Sequence, residues 1–233
     1  MVNVILKRCD YLNDKERLEI ADVFTHSFNV DGDIDKCLNH YFSNIRSVLL
    51  AIDNGKIVAF HFYQTKVIDG IKVHHFSLSG KLPNLPKGIQ SKFGMYILKR
   101  NMYKLLMPTP VYVAGVANSP KSYNNLYKLR GICFPDVQQQ KQINPFLNLY
   151  QNIASALNMH GIDDRGILPN RMQALGFKLI FAQSVGNNSS KLHKDYIDYV
   201  RDYDNGMFTL VKVRPWIDVP CYIFRVIKSK IIS

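Results

Sequence analysis

The sequence lacks any apolar run long enough to cross a bilayer, which takes about 18 consecutive residues. Its four cysteines, Cys9, Cys37, Cys133 and Cys221, lie far apart and form no C-x-x-C pair, so they indicate neither a zinc cluster nor a disulfide framework. The first residues also lack the apolar stretch and small-residue cleavage site of a signal peptide. We therefore expect a cytoplasmic protein with buried thiols and no integral membrane segment.

Several catalytic signatures are missing as well. The sequence has no H-E-x-x-H or other metal-binding spacing, so we predict no catalytic metal. It has no G-x-S-x-G elbow, and nothing in the sequence shows a histidine near Cys133, so a nucleophile mechanism is not favoured. Walker A and G-x-G-x-x-G loops are absent too, which excludes the commonest nucleotide-binding motifs.

Positive charge, by contrast, is abundant. The chain has 30 Lys and Arg against 18 Asp and Glu, a formal net charge of +12. Such a balance favours anionic partners, among them a nucleotide cofactor, an acidic carrier protein or an anionic membrane face. The lysines are dispersed rather than gathered in a block of five or more, so we do not expect nucleic acid as a partner.

The first third of the sequence predicts a strand, two helices and three strands. Residues 2–8 are apolar and extended in pattern, Asn13 is a suitable cap for a first helix, and residues 33–44 predict a second. Three β-branched and aromatic runs over 47–80 are separated by two Asx-Gly pairs, the strongest short-range signal for hairpins. We expect a three-stranded antiparallel meander there.

The pattern then changes to alternating helices and strands. A helix is predicted from about Gln90 to Leu106, a strand over 111–118, and a helix capped by Ser119 with Pro120 at its first position. Gly131 would follow its end. This order indicates a mixed α/β protein with one parallel crossover.

Beyond residue 131 the patterns are weaker. Residues 132–142 resemble a loop, and a helix follows with Pro145 at its first position. A strand is expected at 178–185, a helix over 194–206 and a strand over 207–216. Residues 219–232 are expected to form a terminal helix or strand. We interpret 1–132 as a core and 133–233 as an extension that completes the sheet and the acceptor or acyl pocket, and we expect both to belong to the same compact unit.

Residues 80–92, "GKLPNLPKGIQSK", form a strand-to-helix junction suited to an anion. The first amides of a helix have no intrahelical partner, and the helix dipole there favours negative charge. Lys87 and Lys92 add positive charge, and Gly88 permits close approach of a ligand to the backbone. The alternative is a plain strand-to-helix connection in which glycine and proline only make the turn.

The topology and this loop resemble the GCN5-related N-acetyltransferase superfamily. "LPKGIQSKF" resembles its pyrophosphate loop, with Gly88 in place, Leu85 where Gln or Arg is usual, and Gln90 where a small residue is usual. "VAGVANSPKSYNNLYKLRGI" resembles its fifth strand and fourth helix, with two extra residues between Asn118 and Tyr127. The resemblance covers roughly residues 2–132.

The resemblance implies an α/β (α+β) fold: a mixed, mostly antiparallel sheet with helices on both faces and a splayed pair of fourth and fifth strands. It implies acetyl-coenzyme A or another acyl-coenzyme A as co-substrate, with no metal, and an amine as acceptor, whose identity stays open. Tyr127 would be the general acid that protonates the leaving thiolate. The residues expected to bind the donor are Phe76, Ser77, Leu78, Ser79, Lys87, Gly88, Ile89, Gln90, Ser91, Lys92, Asn118 and Ser122.

A base must also remove a proton from the acceptor amine. His74 and His75 are adjacent in a predicted strand and so point to opposite faces, which places one of them toward the cleft side. Histidine titrates in the useful pH range, so one of this pair is a candidate base. The alternative is a half-exposed strand histidine without a catalytic role.

Two rival functions remain open. The first keeps the fold but takes a long-chain acyl group or an acyl carrier protein as donor, since an acidic carrier would suit the +12 chain. The second is a non-enzymatic module that binds anions or a membrane. The C-terminal sequence "YIFRVIKSKIIS" mixes apolar residues with Arg225, Lys228 and Lys230, a composition compatible with interfacial attachment.

Overall fold

A computed structural model describes residues 2–28, 33–85, 88–101, 109–129, 131–139, 147–171, 191–202, 204–221 and 224. The chain divides into two compact units. The first contains Met1–Gln64 and Phe76–Asn101, and the second contains Thr65–His75, Met102–Arg171 and Phe181–Ser233, as far as these ranges are described.

The described strands form a mixed, mostly antiparallel sheet of order β1-β2-β3-β4-β5-β8-β6, with β7 paired to β8. β4 and β5 are parallel neighbours, which confirms the predicted crossover. The splay of this pair stays a prediction. The strands are β1 Asn3–Arg8, β2 Ser47–Asp53, β3 Lys56–Ile68, β4 Ile71–Lys81, β5 Val111–Ala117, β6 Ile132–Phe134, β7 Ile167–Leu168 and β8 Gly206–Val213.

Six α-helices are described in full within the same parts of the chain: α1 Asp14–Phe28, α2 Ile34–Asn44, α3 Ile89–Arg100, α4 Pro120–Tyr127, α5 Leu147–Ala156 and α6 Lys191–Val200. A short 3-10 helix covers Cys9–Tyr11. Their starts follow the predicted caps. The Asn13 side chain accepts a hydrogen bond from the Glu16 amide, and the Glu16 carboxylate accepts one from the Asn13 amide, which is a capping box. Asp33 and Ser119 cap α2 and α4, since their side-chain oxygens accept hydrogen bonds from the Lys36 and Ser122 amides.

Both hairpins of the meander turn at the predicted Asx-Gly pairs. Asn54 and Gly55 have φ of 49° and 78°, and Asp69 and Gly70 have φ of 51° and 75°. Positive φ at both central residues is the requirement of a type I′ turn, whose twist matches that of the flanking strands. The meander prediction over residues 47–80 is therefore confirmed.

The first unit has helices on both faces of its part of the sheet. On one face Val48, Leu50 and other strand residues pack against α1 and α2. On the other face Leu49 and Ala51 pack against α3 through Phe93. Because successive side chains of a strand point to opposite faces, the near-continuous apolar run of β2 supplies both cores.

The second unit repeats this arrangement. Tyr112, Ala114 and Phe208 pack against α5, whereas Ala117 and Met207 pack against α4 and α6 on the other face. The buried Tyr150 hydroxyl of α5 donates a hydrogen bond to the Phe208 carbonyl, 2.8 Å away. The predicted fold class, a mixed sheet covered by helices on both faces, is confirmed in each unit.

Several predictions for the C-terminal part were wrong. Residues 132–134 form β6 rather than a loop, because β8 provides a partner for this short run. α6 ends at Val200 instead of continuing to Gly206, since Arg201 takes the left-handed conformation with φ of 66°. Gly206 is the first residue of β8, which ends at Val213, and Pro215 begins a helical segment. The strand predicted at 178–185 and most of 219–232 lie outside the described residues.

The thiols are less uniform than predicted. Cys9 and Cys37 are buried, as expected, but Cys133 is only half-buried and Cys221 is exposed. Within the described ranges, no helix is long and apolar enough to span a bilayer. No group of three metal-ligating side chains is found in the same ranges.

His61 of β3 is expected to make stability depend on pH. Its ring lies between Phe76 and Phe93, with centroids 5.2 and 6.0 Å away, and burial lowers its pKa from 6.5 to about 4. The folded state therefore holds this ring neutral, while the unfolded chain takes up a proton below about pH 6.5. Stability should be fully present above pH 6.5 and fall by up to about 3 kcal/mol as the pH drops toward 4.

Urea denaturation between pH 4 and 8 measures this effect. His61→Gln should flatten the profile in this window relative to the parent protein. His26→Gln is the matched control, because the His26 side chain is 54% exposed on α1 and should leave the profile unchanged. A His61→Gln profile that parallels the parent would contradict the prediction.

Candidate functional site

The start of α3, in the first unit, has the form expected of an anion-binding helix terminus. Gly88 is the N-cap residue, with φ of 96°, and no side chain caps the helix there. A Cβ atom at Gly88 would have nothing within 4 Å, so the space beside its backbone is open. Ile89 is buried and anchors the first turn against the sheet, whereas Lys92 is exposed one turn later. The first turn carries no acidic residue that would repel an anion.

Other predicted residues of this loop are described only in part. Lys87 lies outside the described residues, and the side chains of Gln90 and Ser91 do as well. Their proposed contributions through charge or side-chain hydrogen bonds therefore stay predictions.

β4, which leads into this loop, is irregular at the residues predicted to bind the donor. Phe76 packs on the α3 side, with its ring 5.2 Å from that of Tyr63. Leu78 packs into the core beneath α1 and α2, on the opposite side. Residues two apart in a regular strand share a face, so the alternation is interrupted between Phe76 and Leu78, as at a β-bulge. Bulges disrupt the hydrogen-bond ladder locally and are frequent next to active sites.

The end of β4 is held by a helix. The Lys81 amide donates to the Ser27 hydroxyl at 2.8 Å, and that hydroxyl lies 3.0 Å from the Lys81 carbonyl oxygen. The next amide, that of Leu82, faces β3 and donates to the Val58 carbonyl. Since successive backbone groups of a strand point in opposite directions, Ser27 occupies the edge of β4 that faces away from β3. A Cβ at Gly80 would lie 2.8 Å from the Ser27 oxygen, so glycine permits this close approach.

Ser27→Ala should therefore destabilise the protein. The substitution leaves the Lys81 backbone without its hydroxyl partner, which we expect to cost about 1–2 kcal/mol. Thr25→Ala is the control, because the Thr25 hydroxyl is exposed and lies on the same helix, bonded to the Ala21 carbonyl. Urea denaturation of both variants distinguishes the roles, and equal losses would contradict the assignment of Ser27 to the strand edge.

The second unit contains the remaining predicted residues. His74 and His75, near the start of β4, are 4% and 1% exposed. Both are thus buried rather than half-exposed, and a catalytic role for either stays a prediction.

Asn118 directly follows β5 and has an unusual environment. Its Oδ1 atom is buried and accepts no hydrogen bond within the described parts of the chain. It lies against Gly206, since a Cβ there would be 3.0 Å from this oxygen. A buried amide oxygen without a hydrogen-bond donor lowers the stability of the fold, commonly by about 1–3 kcal/mol. Such an oxygen has a function where a bound ligand supplies the missing donor.

α4 positions the predicted general acid. The Tyr127 side chain is half-buried, and its hydroxyl donates a hydrogen bond to the Gln138 side-chain oxygen at 2.9 Å. One turn earlier, Tyr123 is fully buried, and its hydroxyl donates to the Pro135 carbonyl and accepts from the Val137 amide. Burial raises the pKa of Tyr123 far above its ordinary value. Of these two phenols, Tyr127 is the one that reaches solvent.

The Ser119 hydroxyl organises the start of this helix. It accepts a hydrogen bond from the Ser122 amide at 3.1 Å and lies 2.9 Å from the Ser122 hydroxyl. Ser122 is therefore part of the cap, a role that does not depend on a ligand. Nearby, the buried Tyr196 hydroxyl of α6 donates to the Ala117 carbonyl and fixes the end of β5.

Sequence patterns did not reveal Ser27, Gln138 or Tyr196. Each acts through a contact between residues distant in the chain. The interruption of β4 was not predicted either. Only Tyr123 carried a signal, since it lies four residues before Tyr127 and so shares its helix face.

No protein-family model and no curated protein sequence matches this chain. Solved structures do resemble it. A GNAT-family acetyltransferase from Brucella melitensis, in complex with acetyl-CoA, is 12% identical over 48% of this chain and 75% of its own, with a TM-score of 0.34. Naa50 from Arabidopsis thaliana, bound to a bisubstrate analogue of CoA and a peptide, is 17% identical over 61% of this chain and 92% of its own, with a TM-score of 0.39.

A third similar structure is the GCN5-related glucosamine N-acetyltransferase region of a fungal multi-domain enzyme. It is 16% identical over 67% of this chain and 20% of that chain, with a TM-score of 0.43. The mixed, mostly antiparallel sheet is the fold predicted from the sequence. The similar structures named here are described as acetyltransferases.

Proposed function

We propose that this protein is a divergent member of the GCN5-related N-acetyltransferase superfamily and moves an acetyl or other acyl group from acyl-coenzyme A to an amine. The observation that carries the proposal is the start of α3: a left-handed glycine cap with open space beside it, which follows the interrupted strand β4 after a short loop. Backbone amides near Gly88, Ile89 and Gln90 would bind the pyrophosphate.

The interrupted part of β4 is proposed to bind the pantetheine arm of the donor. This arm carries amide groups, which pair with strand backbone as a neighbouring strand would. Such pairing uses the backbone of residues 76–79 and demands no particular side chain. The chemically different side chains of Phe76, Ser77, Leu78 and Ser79 are compatible with it.

Asn118 is proposed to accept a hydrogen bond from a donor N–H. Because its Oδ1 has no donor within the described residues, Asn118→Leu should leave the free energy of unfolding unchanged or raise it by about 1 kcal/mol. The same change should weaken acyl-coenzyme A binding by about tenfold, the equivalent of one lost hydrogen bond. Urea denaturation and calorimetric titration measure the two effects.

A control for this prediction is Asn152→Leu, since the Asn152 amide donates to the Asp69 carboxylate on the surface of the same unit. It should not change the affinity. A marked loss of stability in Asn118→Leu with unchanged affinity would mean that Asn118 has a structural role only.

The reaction follows from these roles. The neutral amine attacks the thioester carbonyl, a C–N bond forms and the C–S bond breaks. Tyr127 donates its phenolic proton to the departing sulfur as the C–S bond breaks, because a phenol with an ordinary pKa near 10 still carries its proton at neutral pH. His74 or His75 is proposed to take the proton that the amine loses, and water then carries a proton from the imidazolium back to the tyrosinate.

Calorimetric titration with coenzyme A, acetyl-coenzyme A and a long-chain acyl-coenzyme A tests the proposal. Saturable binding that survives high salt supports it, because a formed site is less sensitive to screening than general attraction to a basic surface. The preferred chain length separates the acetyl from the long-chain donor. No binding to any of the three overturns the coenzyme assignment and favours the acyl carrier protein or the non-enzymatic alternative. The amine acceptor and the cytoplasmic location stay predictions.

A further inference from the structure

The helical segment that begins at Pro215 exposes an apolar face. Trp216, Ile217 and Phe224 are 65%, 56% and 70% exposed, and Pro220 and Cys221 between them are exposed as well. These positions fall on one side of a helix with 3.6 residues per turn. We refer to these five residues as the C-terminal apolar face.

The opposite side of this segment is firmly held. Pro215, Asp218 and Val219 are buried. The Asp218 carboxylate accepts a hydrogen bond from the Arg214 amide at 2.7 Å and two from the Arg214 guanidinium at 3.1 and 2.9 Å. A bidentate pair of this kind fixes geometry as well as charge. The large apolar side chains therefore point outward because the opposite side of the helix is packed against the rest of the unit.

The local sequence is also basic. In the sequence of residues 212–233, Arg214 is paired with Asp218, the one acid, and four further cations remain, Lys212, Arg225, Lys228 and Lys230. A sequence that combines tryptophan and phenylalanine with such cations has the composition of segments that lie in a membrane interface, where aromatic rings enter the headgroup region and cations meet anionic lipids.

We propose that the C-terminal apolar face docks on the surface of an anionic membrane. The inference does not depend on the proposed acyl transfer. A second copy of this chain is a less suitable partner for this face, because a twofold contact would bring two equally basic sequences together and their charges would repel each other. An anionic bilayer offers an apolar layer for the rings and opposite charge for the cations.

Trp216 makes the test direct, since it is the one tryptophan in the sequence. Vesicles of phosphatidylcholine with about one third phosphatidylserine should shift its emission to the blue and carry the full-length protein in flotation, with binding reduced about tenfold or more in pure phosphatidylcholine. Raising the salt concentration should weaken the binding. Equal binding to both vesicle types, or no binding, overturns the proposal.

Variants locate the contact. Ile217→Ser with Phe224→Ser should abolish flotation, while thermal unfolding stays unchanged because both side chains are exposed. Leu18→Ser with Val67→Ser is the matched control, since these residues are 71% and 72% exposed elsewhere and should leave binding intact. Undiminished flotation of the first pair overturns the proposal. Light scattering that shows a dimer lost on Trp216→Ser also overturns it, in favour of a second copy.

Discussion

Replacing Tyr127 by phenylalanine is expected to lower kcat for acyl transfer by about 10²–10⁴-fold, the contribution usual for a positioned general acid. The ring of Tyr127 packs near that of Tyr123, with centroids 5.6 Å apart, and phenylalanine keeps this contact. Only the phenolic proton is removed, so KM for the acyl donor should change little. Steady-state kinetics with the donor that calorimetry identifies measures both constants.

The hydrogen bond from Tyr127 to Gln138 provides the control. Gln138→Ala removes the partner of the phenol but leaves its proton, so it should retain most of kcat. If the two variants lost activity equally, Tyr127 would be a positioning residue that acts through this bond. If Tyr127→Phe kept full activity, another group would protonate the sulfur.

Replacing Gly88 by valine should weaken coenzyme A binding by at least about tenfold. A β-branched residue with positive φ carries backbone strain of about 1–3 kcal/mol, so the loop relaxes away from this conformation and binding must restore it. The valine side chain would also stand in the open space beside the cap, where we propose that the pyrophosphate approaches. Calorimetric titration with coenzyme A gives the affinity, and urea denaturation checks that the fold is kept.

Gly55→Val is the control that distinguishes the effect of backbone strain from a direct effect on coenzyme A binding. Gly55 has φ of 78°, and a Cβ there also has nothing within 4 Å, so the backbone cost resembles that at Gly88. It lies in a hairpin turn, and its substitution should lower stability without any effect on coenzyme A affinity. An unchanged affinity in Gly88→Val would mean that the phosphates bind elsewhere.

Local signals made the first half of the fold predictable. The Asx-Gly turns, the Asn13 capping box and the Ser119 cap each depend on residues within a few positions of one another. The interactions that stabilise these turns and caps are therefore encoded in short stretches of sequence, and the boundaries of the adjoining strands and helices can be predicted from them.

The features that were missed have a different origin. β6 is too short to be recognised without β8, and the end of α6 is set by Arg201, an arginine where a glycine is the usual signal. The interruption of β4 between Phe76 and Leu78 depends on which of the two cores receives each side chain. The sequence of β4 does not specify the face of each residue, because most of its side chains would suit either face. Only tertiary packing decides such positions.

The candidate residues show the same division. Gly88 at the start of α3 was predicted, because a glycine before an apolar-periodic segment has a local meaning. The buried Asn118 oxygen was not, although the residue itself was identified through the resemblance. The contact of Ser27 with Lys81 joins positions 54 apart in sequence, beyond the reach of any local pattern.

The place of β8 in the sheet sets an order of events during folding. β8 lies between β5 and β6 and pairs with both, and its register joins Val111 to Val213. Closing the long loop between Val111 and Val213 is slow compared with forming a hairpin, because the chain must lose conformational entropy before any contact compensates for the loss. On the ribosome the β1–β3 pairings can form while the rest of the chain is still being made, whereas β6 and the second edge of β5 must wait for β8. Until β8 is made, these strand edges are open to pairing with other chains, which exposes the nascent second unit to aggregation.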